Sequence, residues 1–341
     1  MRTGKDACCK KNKANKSKKH GQIIMRKYAL ILILFLLNGC FENESVEQIK
    51  GESMGTSYSI NVLGDDRIEQ DIIDRRLEEI NNTFSTWQHD SELSQLNRAP
   101  VDEWIDVSSE LYSMLNRSVE IYQQTEGYFD PGIGRLIDLW GFGASGGRTE
   151  APKREEIEQA FENSSIKFLL MEDGRVKKTR DIHINLSAIA KGYAVDEVAR
   201  LIKISGIKNF LVEIGGEVVA SGSNRADDWV LGVERPDNKS PIPVVLKDAS
   251  IATSGNYRNY FIWEGKKYMH IFNPLTGLPA NNDLSSVTVI HPQSAMSDAY
   301  ATAMMAMGSK KAIELANKLK LTALLITNKE DNNQIIKINL P

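Results

Sequence analysis

Hydrophobic residues recur at helical spacing in three stretches of the N-terminal two thirds of the chain. Residues three or four positions apart share one face of a helix, so this spacing predicts three amphipathic helices. The first ends before Phe84, and the third covers Ala188–Ile204. The apolar positions are Ile68, Ile72, Ile73, Leu77 and Ile80 in the first, Leu111, Leu115, Val119 and Tyr122 in the second, and Ala194, Val198, Leu201 and Ile202 in the third.

The pattern changes to short apolar or alternating runs after residue 204, and one such run, Ser57–Val62, also comes early. Turn residues bound these runs, which is typical of strands. Two helices, Ala295–Met307 and Lys310–Leu319, and a closing hairpin are predicted after them. Because strands and helices come in separate runs, we predict an α+β fold with mostly antiparallel sheets. The later strands are predicted at Phe210–Ile214, Val218–Gly222, Val230–Val233, Val244–Leu246, Tyr257–Trp263, Tyr268–Phe272 and Ser286–Ile290.

An unbroken apolar run, Tyr28–Leu37, follows two basic residues near the N-terminus. The run is too short to span a bilayer and is typical of a secretory signal. Leu37-Asn38-Gly39-Cys40 resembles a lipobox, in which Cys40 is lipidated and becomes the mature N-terminus; the alternative is an ordinary cleaved signal. We therefore predict a possible upstream extension at 1–24, a lipoprotein signal peptide at 25–39, and a lipidated cysteine with a polar tether at 40–50. The expected location is the periplasmic face of the bacterial inner membrane, although the sequence leaves the outer membrane open.

The net charge of −3 averages two unlike parts of the chain. Residues 1–27 carry ten Lys/Arg and one Asp, a net charge of +9, which leaves −12 for residues 28–341. An acidic body does not favour binding to a nucleic-acid backbone. All three cysteines, Cys8, Cys9 and Cys40, lie at or before the predicted processing site, so we expect no disulfide and no cysteine nucleophile in the body.

Oxygen-bearing side chains near the C-terminus indicate a cation site. Asp298 and Thr302 lie one turn apart on a predicted helix, and a carboxylate with a hydroxyl is the kind of ligand pair that Mg²⁺ takes. The alternative is that Asp298 caps the helix and Thr302 packs in the core.

Two further segments are candidates for phosphate and proton chemistry. Asn185 to Lys191 covers a change from strand to helix, where free N–H groups attract a diphosphate; the alternative is a plain turn with a solvated lysine. His270 precedes a Pro/Gly turn and is our candidate general base, although a lone histidine is more often structural. Gly215-Gly216-Glu217 and Thr253-Ser254-Gly255 are turns where a backbone could approach a ligand.

Ten short motifs together resemble the ApbE family, from about Gly51 to the last helices. They occur in the family's order: Met54-Gly55-Thr56, Phe84-Ser85-Thr86-Trp87, Ser91-Glu92-Leu93-Ser94, Gly127-Tyr128-Phe129-Asp130, Leu139-Trp140-Gly141-Phe142-Gly143, Asn185 to Tyr193, Gly215-Gly216-Glu217, Thr253-Ser254-Gly255, His270-Ile271-Phe272-Asn273-Pro274 with Thr276-Gly277, and Ser297-Asp298-Ala299. The resemblance implies two interwoven lobes, related to the T-fold, in one compact unit at 51–341. It also implies Mg²⁺-dependent transfer of FMN from FAD to a Ser or Thr of an acceptor protein, with release of AMP.

The same resemblance assigns site residues. His270 and Asp298 would be catalytic, and Mg²⁺ would be held by the backbone oxygen of Ala188 with Asp298 and Thr302. Acceptors would be redox subunits of membrane electron-transport complexes. The FAD-binding residues would be Met54 and Trp87 around the flavin or adenosine, Tyr128, Phe129 and Asp130 on the adenosine side, Asn185 and Lys191 beside the diphosphate and adenine, and Phe272 against the ligand.

The sequence departs from the family pattern at two positions and leaves three alternative functions open. Asn185 and Asn273 stand where the family usually has Asp, which removes two negative charges and which we interpret as tuning of FAD affinity or acceptor choice. An FAD hydrolase with the same site, a non-catalytic flavin-binding lipoprotein and a transporter's solute-binding lipoprotein are the rivals. The last would show two repeated α/β lobes, which this sequence lacks.

Overall fold

Eight of the seventeen strands in the described residues assemble into one antiparallel sheet. A computed structural model describes residues 45–144, 146–148, 150–225, 227–257, 259–328 and 333–340, so the predicted extension, signal peptide and Cys40 lie outside the described residues. In chain order the strands are β1 (Val46–Ser53), β2 (Thr56–Leu63), β3 (Trp104–Asp106), β4 (Leu169–Glu172), β5 (Arg175–Lys178), β6 (Phe210–Ile214), β7 (Glu217–Ser221), β8 (Trp229–Val233), β9 (Ile242–Leu246), β10 (Ala249–Gly255), β11 (Tyr260–Trp263), β12 (Lys266–Met269), β13 (Phe272–Asn273), β14 (Leu278–Pro279), β15 (Leu284–His291), β16 (Thr322–Thr327) and β17 (Ile335–Ile338).

The main sheet has the order β1-β2-β6-β7-β10-β15-β16-β17, and each neighbouring pair is antiparallel. Smaller sheets are formed by β3-β5-β4 and by the pairs β8-β9, β11-β12 and β13-β14.

The helices are α1 (Gln70–Phe84), α2 (Glu92–Arg98), α3 (Ser109–Gln124), α4 (Gly134–Leu139), α5 (Arg154–Glu162), α6 (Ala190–Ile204), α7 (Ser294–Met307) and α8 (Ser309–Leu319). No helix within the described ranges combines the length and apolar character needed to cross a bilayer.

Both faces of the main sheet are covered by other elements. Side chains alternate along its central strands, so each strand contributes to the core on both faces. On β6, Phe210, Val212 and Ile214 belong to the large core that contains the buried faces of α1, α6 and α7, whereas Leu211 belongs to a second cluster with the β8-β9 hairpin. The predicted α+β fold with mostly antiparallel sheets in one compact unit is confirmed for Ser45–Pro341.

Helices α6 and α7 meet at their N-terminal ends, and this contact positions the site. A side chain at Gly192 would place its Cβ 2.3 Å from the Ser294 carbonyl oxygen, so only glycine permits the approach. From α6, the Asp196 carboxylate accepts hydrogen bonds from the N–H groups of Ser294 (2.7 Å) and Ala295 (2.9 Å). These two donors would otherwise lack partners in the first turn of α7. The first turns of both helices are therefore held against each other.

The predicted tether is wrong from Val46 onward. Val46–Ser53 forms β1, which pairs with β2 along its whole length, so the folded region begins before Gly51. The segment is polar because β1 is an edge strand in which four of the eight residues are exposed and only Ile49 is buried. Backbone hydrogen bonds, which leave no hydrophobic pattern in the sequence, define this strand.

The strand predicted at Tyr268–Phe272 is also interrupted in the structure. β12 ends at Met269, the His270 N–H donates to the Asn259 carbonyl (3.3 Å), and Phe272 pairs with Pro279 in the β13-β14 ladder. The chain changes pairing partners at His270, which places this residue at a junction between two small sheets.

Candidate active site

A cavity of about 850 Å³ opens where the start of β2, the β6-β7 turn and the first turns of α6 and α7 meet. This volume lies within the range of cofactor-sized pockets. Ten residues predicted to act in the site line it: Tyr128, Phe129, Asp130, Asn185, Ala188, Lys191, His270, Phe272, Asp298 and Thr302. Long-range folding therefore brings together side chains that are up to 174 positions apart in the sequence.

Met54 and Trp87 do not line this cavity. Met54 has a left-handed backbone (φ 53°) in the β1-β2 turn and packs against the main core. Trp87 is 70% exposed and lines a separate cavity of about 400 Å³ with Arg98, Arg135 and His183 among others. The structure differs here from the expected site, and a ligand role for these two side chains stays a prediction.

Asp298 and Thr302 offer oxygens to the cavity from one face of α7, as their spacing predicts. Asp298 is 4% exposed, and its Oδ2 accepts a hydrogen bond from the Gly192 N–H (3.2 Å). The Thr302 hydroxyl lies 3.1 Å from the Ser254 hydroxyl. Burial raises the pKa of Asp298 above its ordinary value, although Lys191 opposes this shift.

The Ala188 carbonyl is left available by the start of α6. In a regular helix the N–H of Gly192 would donate to the carbonyl four residues earlier, that of Ala188. Here that N–H donates to Asp298, and no backbone hydrogen bond from Gly192 to Ala188 occurs among the described residues. A free carbonyl, a carboxylate and a hydroxyl thus line one region of the cavity.

Lys191, Glu217 and Asp298 form what we call the charged floor of the cavity. Lys191 Nζ donates to Glu217 Oε1 (2.6 Å). Burial, together with the charge of Asp298, raises the pKa of Glu217 to about 7. Burial alone would lower the pKa of Lys191, but Asp298 and Glu217 hold it above its ordinary value. Two carboxylates therefore face one ammonium in a desolvated place.

The donors around the charged floor fit a hard divalent cation. Mg²⁺ prefers oxygen ligands and usually keeps several waters, so one carboxylate, one hydroxyl and one carbonyl are an adequate protein contribution. A cation would also compensate the second carboxylate of the floor. Within the described ranges no group of three or more His, Cys, Asp or Glu could hold a metal, so the geometry does not suit a site built from such residues alone.

His270 lies on another side of the cavity with its tautomer set by the backbone. The Asn259 carbonyl is 3.0 Å from His270 Nδ1, and since a carbonyl can only accept, Nδ1 carries the proton and Nε2 is the basic nitrogen. Burial lowers the pKa of His270 below its ordinary value, and Lys191 acts in the same direction. The imidazole is therefore neutral at pH 7.

Five rings in contact with one another lie next to His270 and form what we call the aromatic cluster, which comprises Trp140, Phe142, Phe261, Tyr268 and Phe272. Phe261 stacks on Tyr268 with centroids 5.3 Å apart, and Tyr268 lies 5.2 Å from Trp140. Phe142 contacts Phe261, Phe272 and His270 at 5.7, 6.0 and 6.3 Å. Such pairs add about 0.5–1.5 kcal/mol each beyond burial, so ring contacts attach the β11-β12 hairpin to the cavity.

Asp130 has a structural task in addition to its place on the cavity. Its Oδ1 accepts hydrogen bonds from the N–H groups of Gly132 and Ile166, both at 2.8 Å. Burial nevertheless raises the pKa of Asp130 to about 6. Nearby, Lys311 Nζ donates to the Tyr128 hydroxyl (2.7 Å).

The two asparagines that depart from the family pattern both cap turns. Asn185 Oδ1 accepts from the Ser187 N–H (2.9 Å), and Asn273 Oδ1 accepts from the Leu275 N–H (3.0 Å). Asn185 lines the cavity, whereas Asn273 is not among the lining residues. An amide oxygen serves these turns as well as a carboxylate oxygen would, so the fold tolerates either residue.

Glu217, which belongs to the charged floor, is a site residue whose role was not predicted from the sequence. The sequence contained a signal for this role, because Glu217 is the one charged residue of β7 and directly precedes the apolar run Val218-Val219-Ala220. The pairing partner could not be found in this way, since Lys191 lies 26 positions earlier.

Comparison with known proteins agrees with this geometry. The profile of the ApbE family matches residues 54–325. The FAD:protein FMN transferase of Vibrio cholerae is 36% identical, with 90% of this chain and 95% of the relative covered, and that of Haemophilus influenzae is 31% identical, with 88% and 92% covered.

Solved structures give the same result. The flavin transferase ApbE from Vibrio cholerae superposes with a TM-score of 0.81 at 34% identity, covering 86% of this chain and 98% of that one. The ApbE protein from Thermotoga maritima superposes with a TM-score of 0.78 at 32% identity, covering 86% and 97%. The chain belongs to the ApbE family.

Proposed function

We propose that this protein transfers FMN from FAD to a Ser or Thr hydroxyl of an acceptor protein and releases AMP. The observation that carries the proposal is the combination, in one cavity, of the charged floor with a neutral histidine whose Nε2 is free to take a proton. Relatives that match nearly the whole chain are named FAD:protein FMN transferase, which supports the same activity.

The reaction forms a bond between the acceptor oxygen and the FMN phosphorus and breaks the phosphoanhydride bond to AMP. Charge builds on the phosphate oxygens and on the departing AMP, so positively charged groups held beside the diphosphate lower the barrier. The ammonium of Lys191 serves this purpose because Glu217 fixes it at 2.6 Å in the cavity floor.

A divalent cation, which we propose is Mg²⁺, would be held by the Ala188 carbonyl and the side chains of Asp298 and Thr302. When bound, such a cation neutralises phosphate charge. The oxygens described above have the chemistry for it, and the excess carboxylate in the charged floor favours a positive ion.

His270 acts as the general base in this proposal. The acceptor hydroxyl loses its proton to Nε2, since Nδ1 is committed to the Asn259 carbonyl. The burial that lowers the pKa of His270 keeps the ring unprotonated before the reaction. Water in the place of the acceptor hydroxyl would give hydrolysis of FAD to FMN and AMP.

We further propose that the protein works at a membrane, anchored through lipid on Cys40 at the periplasmic face of the inner membrane. The basic and apolar run before Cys40 supports this location. The proposed acceptors are redox subunits of membrane electron-transport complexes, and the acidic body makes nucleic acid an unsuitable partner.

The test incubates the full chain with FAD, Mg²⁺ and a candidate acceptor domain, followed by mass spectrometry of the acceptor. An FMN adduct that requires the cation and disappears when the acceptor Ser or Thr is replaced by Ala would support transfer. AMP and free FMN without an adduct would indicate hydrolysis. Absence of any FAD turnover with every acceptor tried would contradict the proposed activity.

A further inference from the structure

Glu217 is a buried residue whose backbone and carboxylate are both held in place. It begins β7 directly after Gly215 and Gly216, whose φ values of 62° and 102° form a turn that favours glycine. The side chain is 4% exposed. Its Oε1 binds the ammonium of Lys191, while its buried Oε2 has no hydrogen-bond partner among the described residues. Lys191 is thus the one side chain that the Glu217 carboxylate is seen to hold.

The position of Lys191 is restricted from the opposite side as well. A Cβ at residue 215 would lie 3.3 Å from Lys191 Cδ and 2.9 Å from Thr56 Cγ2, so the missing side chain of Gly215 leaves a slot for the lysine stem. Within this slot the ammonium is attracted mainly by the carboxylates of Asp298 and Glu217, and Glu213 adds a smaller attraction. The hydrogen bond goes to Glu217.

The hydrogen bond of Lys191 to Glu217 rather than to Asp298 matters because Asp298 is also a ligand of the proposed cation. A carboxylate that forms a close ion pair with lysine has fewer lone pairs, and less negative potential, to offer a cation. Without Glu217, the ammonium would have Asp298 as its remaining buried counter-charge. Lys191 and a divalent cation would then compete for one carboxylate.

We propose that Glu217 is a positioning residue that holds Lys191 away from Asp298 and thereby keeps Asp298 available to a divalent cation. The inference rests on the cation site of the proposed function and adds to it the residue that keeps the site open.

The test measures thermal unfolding of the full chain against Mg²⁺ concentration without FAD, so that no catalytic step enters the readout. A cation that binds the folded state raises the unfolding temperature with a concentration dependence set by its affinity. We expect Glu217→Gln, which preserves shape and removes the charge, to raise the half-saturating Mg²⁺ concentration about tenfold, a typical coupling for neighbouring charges.

A second substitution separates positioning from a direct contribution of Glu217 to the cation. In Lys191→Met/Glu217→Gln there is no ammonium to occupy Asp298, so the half-saturating concentration should return to within about twofold of the parent. Failure of this rescue, or no change in Glu217→Gln alone, would overturn the proposal. If Glu217→Gln does not fold, Lys191→Met alone decides: equal or tighter Mg²⁺ binding agrees with the proposal, and weaker binding overturns it.

Glu213→Gln provides the matched control. Glu213 also lines the cavity and also attracts Lys191, but its Oε1 accepts from the Gly216 N–H at 2.8 Å rather than from the lysine. We expect its Mg²⁺ midpoint to shift less than threefold, because general loss of charge acts weakly at longer range; a tenfold shift would overturn the specific role of Glu217. Loss of FMN transfer with the Mg²⁺ midpoints intact would overturn the proposed function alone, whereas absence of Mg²⁺ stabilisation in the parent would overturn both.

Discussion

The charged floor and His270 line one cavity, but the parts of the fold that hold them are built in different ways. Lys191, Glu217 and Asp298 come from α6, β7 and α7, which belong to the centre of the main sheet and its packed helices. His270, by contrast, follows the β11-β12 hairpin, a two-stranded sheet attached through ring contacts such as those of Phe142.

This contrast separates two chemical tasks. Groups that stabilise phosphate charge act best when they are already in place and need no reorganisation, and the packed helix ends supply that rigidity. The base must meet a hydroxyl of another protein, and it is held at a junction between two small sheets by the Asn259 carbonyl and by contact with Phe142. If this division holds, substitutions in the two regions should affect separable quantities.

Removal of the floor carboxylate should produce the largest effect. We expect Asp298→Ala to lower the rate of FMN transfer about a thousandfold, because electrostatic groups of this kind contribute about 3–4 kcal/mol to transition-state stabilisation. The rate is measured by the adduct assay, and the Mg²⁺-dependent rise in unfolding temperature should disappear with it. Retention of either quantity would contradict the assignment of Asp298 to the cation. Asp196→Asn is unsuitable as a control, since Asp196 holds the N-terminus of α7.

The aromatic side is tested by replacement of the base. His270→Ala should lower the transfer rate about a hundredfold, in the range of general-base contributions, while the affinities for FAD and Mg²⁺ stay unchanged. His291→Ala is the control, because burial also lowers the pKa of His291 but this residue does not line the cavity. A rate near that of the parent in His270→Ala would show that another group takes the proton.

The pH profile adds a second readout for His270. The base form is the reactive one, and burial lowers its pKa, so the rate should fall as the pH decreases, with the midpoint of the fall below about 6.5, the ordinary histidine value. A midpoint above that value would indicate that a different group titrates.

A variant of Asp130 tests whether burial also raises the pKa of a carboxyl group that forms no ion pair with a lysine. Its pKa of about 6 in the folded state exceeds the ordinary value of 3.8, so the folded state binds this proton more tightly. The resulting stabilisation is full below pH 4 and is lost as the pH rises through 6. Asp130→Asn keeps the acceptor oxygen but does not titrate, so its free energy of unfolding relative to the parent should rise by about 2 kcal/mol between pH 4 and 7. Denaturant unfolding at both pH values measures this, and a constant difference would show that Asp130 has an ordinary pKa.

Much of the rigid region could be predicted from the sequence because its signals are local. The strand at Phe210–Ile214 was predicted with the bounds that the structure shows, and the spacing of Asp298 and Thr302 already places them on one face of a helix. These features depend on periodicities of two and 3.6 residues, which a short window contains.

Other features depend on pairings that no short window contains. The polar segment of β1 becomes a strand only because β2 lies beside it. The Lys191–Glu217 contact arises because β6 and β7 bring the Gly215-Gly216 turn to the start of α6. Trp87 lies in a motif that resembles one of the family, yet its place on a separate cavity, beside the α2 residues Ser94, Asn97 and Arg98, could not be predicted from that motif.

The smallest effect is expected at the two asparagines, which differ in their relation to the cavity. Asn185→Asp keeps the acceptor for the Ser187 N–H and adds a negative charge to the wall, so FAD should bind about threefold more weakly as its diphosphate is repelled. Asn273→Asp keeps its own turn contact to Leu275 and adds the same charge away from the lining, so its FAD affinity should be unchanged.

Titration of flavin fluorescence at low ionic strength, with Mg²⁺ absent, measures both affinities. The Asn185→Asp effect should shrink as salt is added, because mobile ions screen exposed charges over about 10 Å at 0.1 M. Equal weakening in both variants would mean that the overall charge of the body, rather than the cavity wall, controls FAD binding. Tighter binding in Asn185→Asp would instead place a donor of the ligand against residue 185, and the replacement of Asp by Asn in this chain would then be a loss of a ligand contact rather than a relief of repulsion.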